Sequence, residues 1–566
     1  MPHPLERVQR SLACLVLLLP WPRDARHDEC RTVRAGVRLP PISPFRVLCL
    51  AWIAASPAWA ESGPQNFDAA RLDAADLAVA GEAARALGHM GAAAFPAIRE
   101  VLATGSAQQR WAATVALFQS TADPESFLPE LARQLSQEDE RLVQASLATL
   151  ARLQSRAAPA VPALKALLTH EEPDIRRVTL ATFAAIGPAA RDAVPEIMPL
   201  LQDASAAVQL AAADAILRIR PLVPLSEERL AAHISWLNRH VPVLMREMHV
   251  PGVSMAIIQR GEVAWAQAFG VSDARTSDAV TTDTVFEACS MSKPVLALVA
   301  MQLVQEGRLE LDTPLVTYLG RDYLPDQPDH RRITARMALA HRTGLPNWRA
   351  GYAEMGGPLT LEFAPGSEYT YSGEGILFLQ RVVEAITDEP LDRLAQERLF
   401  TPLGLVRTSF VWTEALERDL ASGHRDDGSF KDRTRYREPN AAYSLYTTPT
   451  EFARLMLTLQ HPELLGDRAL TSESIELMLE RQLRLDDDDS NPRPGLARPV
   501  AAYRALGWSL DVTPEGDIVQ HSGSNSSGFK AFGQFNPAKG SGILIFANGD
   551  GGYGLRAAII EAIGDL

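Results

Sequence analysis

Phe286-Glu287-Ala288-Cys289-Ser290-Met291-Ser292-Lys293-Pro294 is the stretch on which the interpretation of this chain depends. Within it, Ser290 and Lys293 form a Ser-x-x-Lys motif. The run from Val295 to Val304 that follows is apolar and contains neither Gly nor Pro, which predicts a buried helix. If Ser290 opens this helix, Lys293 lies one turn later on the same face, so that hydroxyl and amine can touch.

This pair has the chemistry of an activated nucleophile. A serine hydroxyl attacks poorly until a base removes its proton, and a lysine amine can be that base if burial lowers its pKa. The free backbone N–H groups of a helix N-terminus also suit a developing oxyanion. Taken alone, however, Ser-x-x-Lys more often marks an ordinary helix start with a solvated lysine, so the rest of the chain must decide.

Length and composition indicate a multidomain globular protein. The 566 residues are too many for one ordinary core, and 46% hydrophobic with 22% charged residues is a typical globular balance. The net charge of −14 argues against nucleic-acid binding, which needs a basic face.

The cysteine pattern is compatible with export. The chain has four cysteines without metal-ligand spacing, namely Cys14, Cys30, Cys49 and Cys289. Three of them lie within the first fifty residues, so a processed chain would retain only Cys289 and no disulfide. A secreted protein with large cores does not need one.

Residues 1–60 are predicted to be a signal and targeting region. Arg46 precedes the apolar run Val47–Ala55, and Ala58-Trp59-Ala60 has the A-x-A cleavage pattern, so cleavage is expected after Ala60. We therefore expect an exported protein, periplasmic or extracellular, with no integral membrane span in the mature chain.

The first forty residues are unusual for a signal peptide. A second apolar run, Leu12–Leu19, precedes a charged, proline-rich segment. We expect translation to start further downstream, near Val37. The alternative, an uncleaved anchor at the Leu12 run, would require an unusually short span.

Residues 66–222 contain a helical repeat. Prolines recur every 33 residues, at Pro96, Pro129, Pro162 and Pro195. Apolar residues recur twelve positions before them and two positions after them: Ala84, Leu117, Leu150 and Phe183, then Ile98, Leu131, Leu164 and Ile197. The pattern predicts a two-helix unit with proline in the first turn of the second helix, stacked into an all-α solenoid.

This segment resembles HEAT-like repeats, although 33 residues is short for that unit. Ankyrin repeats share the period, but their Thr-Pro-Leu-His signature is absent. A solenoid of this kind either binds a protein partner or acts as a spacer, and the sequence leaves both open.

Residues 232–566 are predicted to form an α/β domain. Apolar runs at 251–260 and 262–270 flank Gly261 and predict a β-hairpin. Further strands are predicted near the C-terminus at 504–510, 518–521, 529–535 and 542–546, before a closing helix at 554–563. We therefore expect a sheet built from both ends of the domain, with helices between them.

Several motifs occur in order along this domain: Pro251-Gly-Val-Ser254, Ser290-x-x-Lys293, Gln305–Pro314, Ile333–Pro346, Pro365–Gly375, Pro402–Leu405, and His521-Ser522-Gly523 before Gly528-Phe529. Together they resemble the serine β-lactamase and penicillin-binding-protein superfamily, closest to its class C β-lactamase, esterase and D-aminopeptidase branch. The resemblance implies an α/β domain with a mainly antiparallel sheet and a helical lobe, with the active site between them.

The resemblance also implies roles for individual residues. Ser290 matches the acylated nucleophile, Lys293 its helix partner, and Tyr371 the general base or proton shuttle. His521-Ser522-Gly523 matches the family's Lys-Thr-Gly strand element, which lies at the edge of the cleft. In that register Ser524 supplies the second oxyanion N–H beside that of Ser290. No metal or organic cofactor is implied.

Two positions depart from the family pattern. The Tyr-x-Asn element has Gly373 in place of Asn, and the Lys-Thr-Gly element begins with His521, a residue mostly neutral at pH 7. The chain thus lacks an amide that would hold the lysine and a cation that would grip a substrate carboxylate. We therefore rank ester or amide hydrolysis above β-lactam hydrolysis.

Rival interpretations remain at this stage. Ser292 is a rival nucleophile on another face, Cys289 is more plausibly a buried small hydrophobe than a catalytic thiol, and Glu374 could assist deacylation or merely orient its turn.

The domain could also bind a penicillin or peptide with little turnover, as a sensor. Loops 348–358 and 411–440 are expected to form the pocket walls, and the substrate, an ester or amide of small-molecule or peptide type, stays open.

Overall fold

The computed structural model describes residues 72–73, 77–349, 357–485, 493 and 495–566. The predicted targeting region 1–60 and most of loop 348–358 lie outside these residues. The chain divides into two compact units, the first ending at Pro221 and the second beginning at Leu222, and each is described by itself. Throughout the described ranges, no helix has the length and apolar character needed to cross a membrane.

The first unit is helical. Its α-helices are α1 (Leu77–His89), α2 (Phe95–Thr104), α3 (Ala107–Gln119), α4 (Leu128–Gln134), α5 (Glu140–Leu153), α6 (Val161–Ala166), α7 (Pro173–Ile186), α8 (Val194–Ile197) and α9 (Ala206–Ile219), with short 3₁₀ turns between several of them. The four periodic prolines lie in the first turn of α2, α4, α6 and α8, where a missing N–H costs no hydrogen bond.

The periodic apolar residues form the core of this unit. Both predicted sets are fully buried, at Ala84, Leu117, Leu150 and Phe183 and at Ile98, Leu131, Leu164 and Ile197. The longer helix of each pair contacts its counterpart in the next pair, α1 with α3, α3 with α5, α5 with α7 and α7 with α9. The identification as HEAT-like repeats and the proposed protein partner stay predictions.

We predict that Phe183→Ala lowers the free energy of unfolding of the helical unit by about 3–5 kcal/mol, because the ring is fully buried and its loss leaves a cavity. The matched control is Met198→Ala, since Met198 is 43% exposed in the same unit. Urea unfolding followed by circular dichroism measures both. Equal losses in the two variants would show that the repeat position is not a core position.

The second unit is an α/β domain. It begins with α10 (Glu227–Glu247). Its strands are β1 (Gly252–Gln259), β2 (Glu262–Asp273), β3 (Asp278–Ala279), β4 (Phe286–Cys289), β5 (Leu445–Thr447), β6 (Leu483–Leu485), β7 (Ala501–Arg504), β8 (Ser509–Val512), β9 (Ile518–Ser524), β10 (Lys530–Asn536) and β11 (Ser541–Ala547). Its other helices are α11 (Ser292–Gln305), α12 (Val316–Leu319), α13 (Ala335–Leu339), α14 (Gly373–Thr387), α15 (Leu391–Ala395), α16 (Glu414–Glu417), α17 (Pro449–Leu457), α18 (Ser472–Met478) and α19 (Gly552–Ile563).

Both ends of this unit contribute to one sheet, as predicted. Among the described residues the sheet has the order β3-β2-β1-β11-β10-β9-β8-β7-β6, and every neighbouring pair is antiparallel. The register of β1 on β11 places Val253 opposite Ala547 and Ile258 opposite Gly542. Strands β4 and β5 form a separate two-stranded ladder.

The predicted strand 504–510 is wrong, because the structure forms a hairpin there. Strand β7 ends at Arg504, β8 begins at Ser509, and the Ala505 N–H donates to the Trp508 carbonyl across the turn. Gly507 has φ of +80°, and a side chain there would collide with the Cβ atom of Ala297. The turn thus packs directly on helix α11, and this contact requires glycine.

Helix α11 is the buried centre of the unit. Apart from the C-terminal pair Val304 and Gln305, its residues are all buried, and its apolar side chains belong to the largest core cluster. The helix begins at Ser292, slightly earlier than the predicted apolar run. Ser290 therefore lies in the turn between β4 and α11 and does not open the helix itself.

Candidate active site

The turn that carries Ser290 has an uncommon backbone conformation. Strand β4 ends at Cys289, whose φ is +54°, in the left-handed region that non-glycine residues rarely adopt. The Met291 N–H then donates to the Ala288 carbonyl and the Lys293 N–H to the Ser290 carbonyl, each at 3.1 Å. Cys289 and Met291 are buried, whereas Ser290 is half-buried, so the sharp turn presents the serine outward.

Lys293 meets Ser290 as the motif spacing predicts. Its Nζ lies 3.0 Å from Ser290 Oγ and 2.8 Å from the carbonyl oxygen of Ala442, and the side chain is fully buried. Burial, and next the positive charge of Arg504, lower the pKa of Lys293 well below its usual range. A neutral amine can donate to the carbonyl and still accept the serine proton, which an ammonium group cannot do.

Tyr371 lies on the other side of the nucleophile. Its ring centroid is 4.7 Å from Lys293 Nζ, which in turn contacts Ser290 Oγ. Burial raises the pKa of Tyr371 to about 12, even though the neighbouring Ser290 side chain and the charge of Arg504 act in the opposite direction. The tyrosine is therefore a phenol at neutral pH, able to pass a proton between the reacting oxygen and the lysine.

Strand β9 borders the nucleophile turn. A side chain at Gly523 would collide with the Ala288 carbonyl and come within 2.9 Å of the Ser290 nitrogen, so glycine permits the close approach of the two backbones. Ser522 is half-buried, and Ser524 is exposed at the end of β9. The oxyanion role of the Ser524 N–H stays a prediction.

His521 is a neutral, buried histidine. Its Nδ1 lies 2.7 Å from the carbonyl oxygen of Ser522; because a carbonyl only accepts, Nδ1 carries the proton. Nε2 is buried and has no hydrogen-bond partner among the described residues. Burial lowers the pKa of His521 well below its usual range, and the charge of Arg504 acts in the same direction. This position therefore carries no positive charge at neutral pH.

A comparison with protein families is decisive at this point. The statistical model of the family described as beta-lactamase matches residues 237–566, more than half of the chain. The chain belongs to the beta-lactamase family. The match begins inside helix α10 and includes every candidate site residue.

Individual relatives are more distant. The chain is 32% identical over 203 residues to penicillin-binding protein 4 of Amycolatopsis lactamdurans, covering 34% of this chain and 53% of that protein. It is 24% identical over 327 residues to protein flp of Staphylococcus aureus strain NCTC 8325 / PS 47, covering 54% and 61%. It is also 24% identical over 345 residues to unguisins hydrolase ungD of Aspergillus violaceofuscus, covering 55% and 60%. The chain thus spans little more than half the length of these curated relatives.

Two solved structures are similar in part. The octameric penicillin-binding protein homologue from Pyrococcus abyssi has a TM-score of 0.48 and 22% identity, covering 59% of this chain and 78% of that one. The D-alanine carboxypeptidase AmpC from Burkholderia cenocepacia has a TM-score of 0.48 and 23% identity, covering 60% and 100%.

The structure gives a physical account of Gly373, the departure from the pattern of the beta-lactamase family. A Cβ atom on Gly373 would lie 2.6 and 2.7 Å from two ring carbons of Trp348 and 2.8 Å from the Asn347 carbonyl oxygen. The indole thus occupies the space in which a side chain would begin. Trp348 also packs edge to face on Tyr443, with ring centroids 5.5 Å apart. Trp348 and Tyr443 thus form an aromatic wall beside Gly373.

Two neighbours of Tyr371, the cationic Arg504 and the titratable His341, were not singled out in the sequence. Arg504, at the end of β7, lies with its guanidinium carbon 5.5 Å from the ring centroid of Tyr371. His341 stacks at a tilt on the same ring, 4.4 Å between centroids, and its Nδ1 accepts from the Ser372 N–H. Burial lowers the pKa of His341 well below its usual range. His341 lay within a quoted motif, but nothing in the sequence marked Arg504.

The buried carboxyl group of Glu287 stabilises the turn that carries Ser290. Glu287, on β4, accepts hydrogen bonds from Tyr436 (2.9 Å), Asn525 (2.8 Å) and Ser527 (2.8 Å), and burial raises its pKa. Asn525 directly follows Ser524, so these bonds join the nucleophile strand to the loop after β9. Glu287 was not singled out in the sequence because it acts only through this tertiary contact.

The rival residues are occupied in other ways. Ser292 Oγ donates to the Cys289 carbonyl at 2.6 Å and accepts from the Leu445 N–H at 3.0 Å, both buried. Burial raises the pKa of the Cys289 thiol well above its usual range. Both oxygens of Glu374 accept from the Arg349 guanidinium, at 2.8 and 2.6 Å. Ser290 is therefore the accessible nucleophile of this group.

We predict that kcat/KM for an uncharged ester rises with pH through one ionisation well below 10.5, because Lys293 is active only when neutral and its pKa is lowered. Activity is lost on the acid side, where the amine becomes charged, and Tyr371 stays protonated through pH 10. A pH–rate profile measures this. Lys293→Arg, permanently charged, is the control and should be inactive at every pH, because it cannot accept the serine proton. An acid limb near 10.5 in the wild type would contradict the prediction.

We also predict that Gly373→Asn, which restores the family residue, lowers stability by about 1–3 kcal/mol and reduces hydrolysis, because its side chain collides with Trp348. The double variant Gly373→Asn/Trp348→Ala should recover part of both losses. A double-mutant cycle with Trp348→Ala alone measures the coupling. Additive effects would mean that the ring and the glycine are independent.

Proposed function

We propose that this chain is an exported serine hydrolase that cleaves an ester or amide through an acyl-enzyme on Ser290. The observation that carries the proposal is the 3.0 Å contact between Lys293 Nζ and Ser290 Oγ, with the same buried amine bonded to the Ala442 carbonyl. Membership of the beta-lactamase family supports it.

Acylation begins with removal of the serine proton. The Lys293 lone pair accepts it, directly or through the Tyr371 hydroxyl, while Ser290 Oγ attacks the substrate carbonyl carbon. The carbonyl π electrons move onto oxygen, and the N–H groups of Ser290 and Ser524 hold the resulting oxyanion. When the intermediate collapses, the C–O or C–N bond breaks and Tyr371 protonates the leaving group, regaining its proton from Lys293.

Deacylation uses the same groups in reverse. A water molecule gives a proton to Tyr371 or Lys293 and attacks the acyl carbon. The bond from carbon to Ser290 Oγ then breaks, and Oγ recovers its proton. One base and one phenol whose pKa values are displaced in opposite directions can serve both half-reactions.

The substrate is proposed to be an ester or a non-lactam amide, in the manner of an esterase or D-amino-acid peptidase. The neutral His521 and the aromatic wall at Gly373 both remove features that a β-lactam or peptide carboxylate would use. The matched relatives include one named as a hydrolase of unguisins, and two named as penicillin-binding protein 4 and protein flp.

The decisive test is intact mass after exposure to a serine-reactive fluorophosphonate. We expect one adduct on the wild type and none on Ser290→Ala, and near-total loss of ester turnover in Lys293→Ala and Tyr371→Phe. Ser526→Ala, an exposed serine beyond β9, is the matched control and should label fully. Retained turnover in Ser290→Ala would eliminate the assignment.

A penicillin-binding sensor is the second candidate. Gly373 and His521 favour it, because both departures would slow turnover of a bound β-lactam more than acylation. Incubation with a penicillin separates the two functions. A stable Ser290-dependent adduct without release would support the sensor, and the absence of an adduct would eliminate it. Rapid hydrolysis of the penicillin would also eliminate the sensor and would overturn the choice of a non-lactam substrate.

The other parts of the proposal concern location and partners. The A-x-A pattern ending at Ala60 supports export to the periplasm or the exterior, and the helical unit is proposed to bind a protein partner through its repeated helices. No nucleic-acid partner is proposed, since the chain carries a net charge of −14.

A further inference from the structure

Tyr371 lies in a segment that is neither helix nor strand. Helix α14 begins only at Gly373, and Tyr371 precedes the N-cap residue of that helix, Ser372. A group that passes a proton must be held to within about 0.5 Å, and a misplacement of about 1 Å can cost on the order of 100-fold in rate. Since no helix or strand ladder includes Tyr371, specific contacts with other segments must fix its position.

Three contacts of one residue, His341, surround this tyrosine. The His341 carbonyl oxygen accepts from the Thr370 N–H at 3.1 Å, and the ring Nδ1 of His341 accepts from the Ser372 N–H at 3.0 Å. The imidazole also packs on the Tyr371 ring, with centroids 4.4 Å apart and planes inclined by 35°. His341 therefore fixes the backbone on both sides of Tyr371 and contacts the ring between them.

The backbone of His341 has a conformation that glycine usually adopts. His341 follows helix α13 with φ of +56°, in the left-handed region. Its N–H donates to the Ala338 carbonyl, and the Arg342 N–H donates to the Met337 carbonyl, which is the Schellman pattern at the end of a helix. Glycine is the common residue at this position, so histidine carries a backbone cost here that the contacts of its side chain must offset.

The hydrogen bond from Ser372 requires a neutral imidazole. An imidazolium carries hydrogen on both ring nitrogens and cannot accept from an N–H, so the ring of His341 is neutral with its hydrogen on Nε2. Burial lowers the pKa of His341 well below its usual range, and the charge of Arg504 acts in the same direction. The ring is therefore a hydrogen-bond acceptor at neutral pH.

We propose that His341 is the positioning residue of the proton-shuttling tyrosine. The inference rests on the proposed serine hydrolase function, in which Tyr371 passes the proton between Ser290 and Lys293. Without the His341 side chain, the segment that carries Tyr371 loses one backbone hydrogen bond and the surface on which the phenol ring packs. The phenol would then leave its place beside Lys293, so proton transfer slows while substrate binding is kept.

The test compares two variants that both suit the left-handed backbone, His341→Gly and His341→Asn. Glycine removes the acceptor and the ring, so we expect kcat for p-nitrophenyl acetate to fall on the order of 100-fold, with KM changed by less than about threefold. Asparagine can place an amide oxygen where Nδ1 lies. It should recover roughly tenfold of the loss, because it restores the hydrogen bond from Ser372.

Asp388→Gly is the matched control for the backbone. Asp388 caps the C-terminus of helix α14 with φ of +58° and is exposed, so the same change of helix-ending residue occurs there without a contact to Tyr371. We expect Asp388→Gly to leave both kcat and KM within about twofold of the wild type, as for other surface substitutions.

A double-mutant cycle with Tyr371→Phe separates positioning from a general structural role. The quantity measured is the rate of Ser290 labelling by a fluorophosphonate, followed by intact mass over hours so that slow variants are still quantified. If His341 acts through the tyrosine, His341→Gly should slow labelling of Tyr371→Phe by no more than about twofold. If His341→Gly fails to fold by circular dichroism, the same cycle with His341→Asn decides the question.

The outcomes distinguish this proposal from the proposed function. If the labelling losses of His341→Gly and Tyr371→Phe multiply in the double variant, His341 does not act through the tyrosine, and the positioning role is overturned. Wild-type kcat in His341→Gly, or a change in KM alone, overturns it as well. Turnover retained in Ser290→Ala would instead refute the hydrolase assignment itself, whatever the His341 variants show.

Discussion

The burial of the Lys293 amine is the constraint on which this site depends. Lys293 is fully buried, and its Nζ has two polar contacts, Ser290 Oγ and the Ala442 carbonyl. Burying an ammonium group with no carboxylate beside it is costly, so the amine is neutral, and a neutral amine is the form that can accept a proton. The buried helix α11 carries this amine, the carbonyl of Ala442 contacts it, and the hairpin turn at Gly507 packs on the same helix.

Close backbone approach is the second requirement, and it explains the placement of two glycines. Gly523 lets strand β9 contact the turn at Ser290, and Gly373 leaves room for the ring of Trp348. The left-handed conformation at Cys289 is tolerated because the turn is held by the Glu287 bonds to Asn525 and Ser527. Strain at the nucleophile is thus offset by buried hydrogen bonds directly beneath it.

The electrostatics of the site follow from the same geometry. Burial keeps Lys293, His341 and His521 neutral and Tyr371 protonated, so Arg504 is the fixed charge of the group. A single oriented cation in a partly dehydrated cleft acts over a longer range than it would in water. Burial therefore leaves Lys293 able to accept a proton and Tyr371 able to donate one, while Arg504 adds a fixed positive charge beside them.

The sequence by itself determined what depends on local pattern. The 33-residue period placed the helix pairs and their core positions, two apolar runs around the Gly261 turn placed the β1–β2 hairpin, and motif order placed Ser290, Lys293 and Tyr371 in one domain. Only the tertiary structure decided what depends on contacts between distant segments. It divided the predicted strand 504–510 at Gly507, because that turn packs on α11, and it brought Arg504 beside Tyr371 through the sheet order β7-β8-β9. A residue's charge is visible in a sequence, but its neighbours and its hydration are set by the fold.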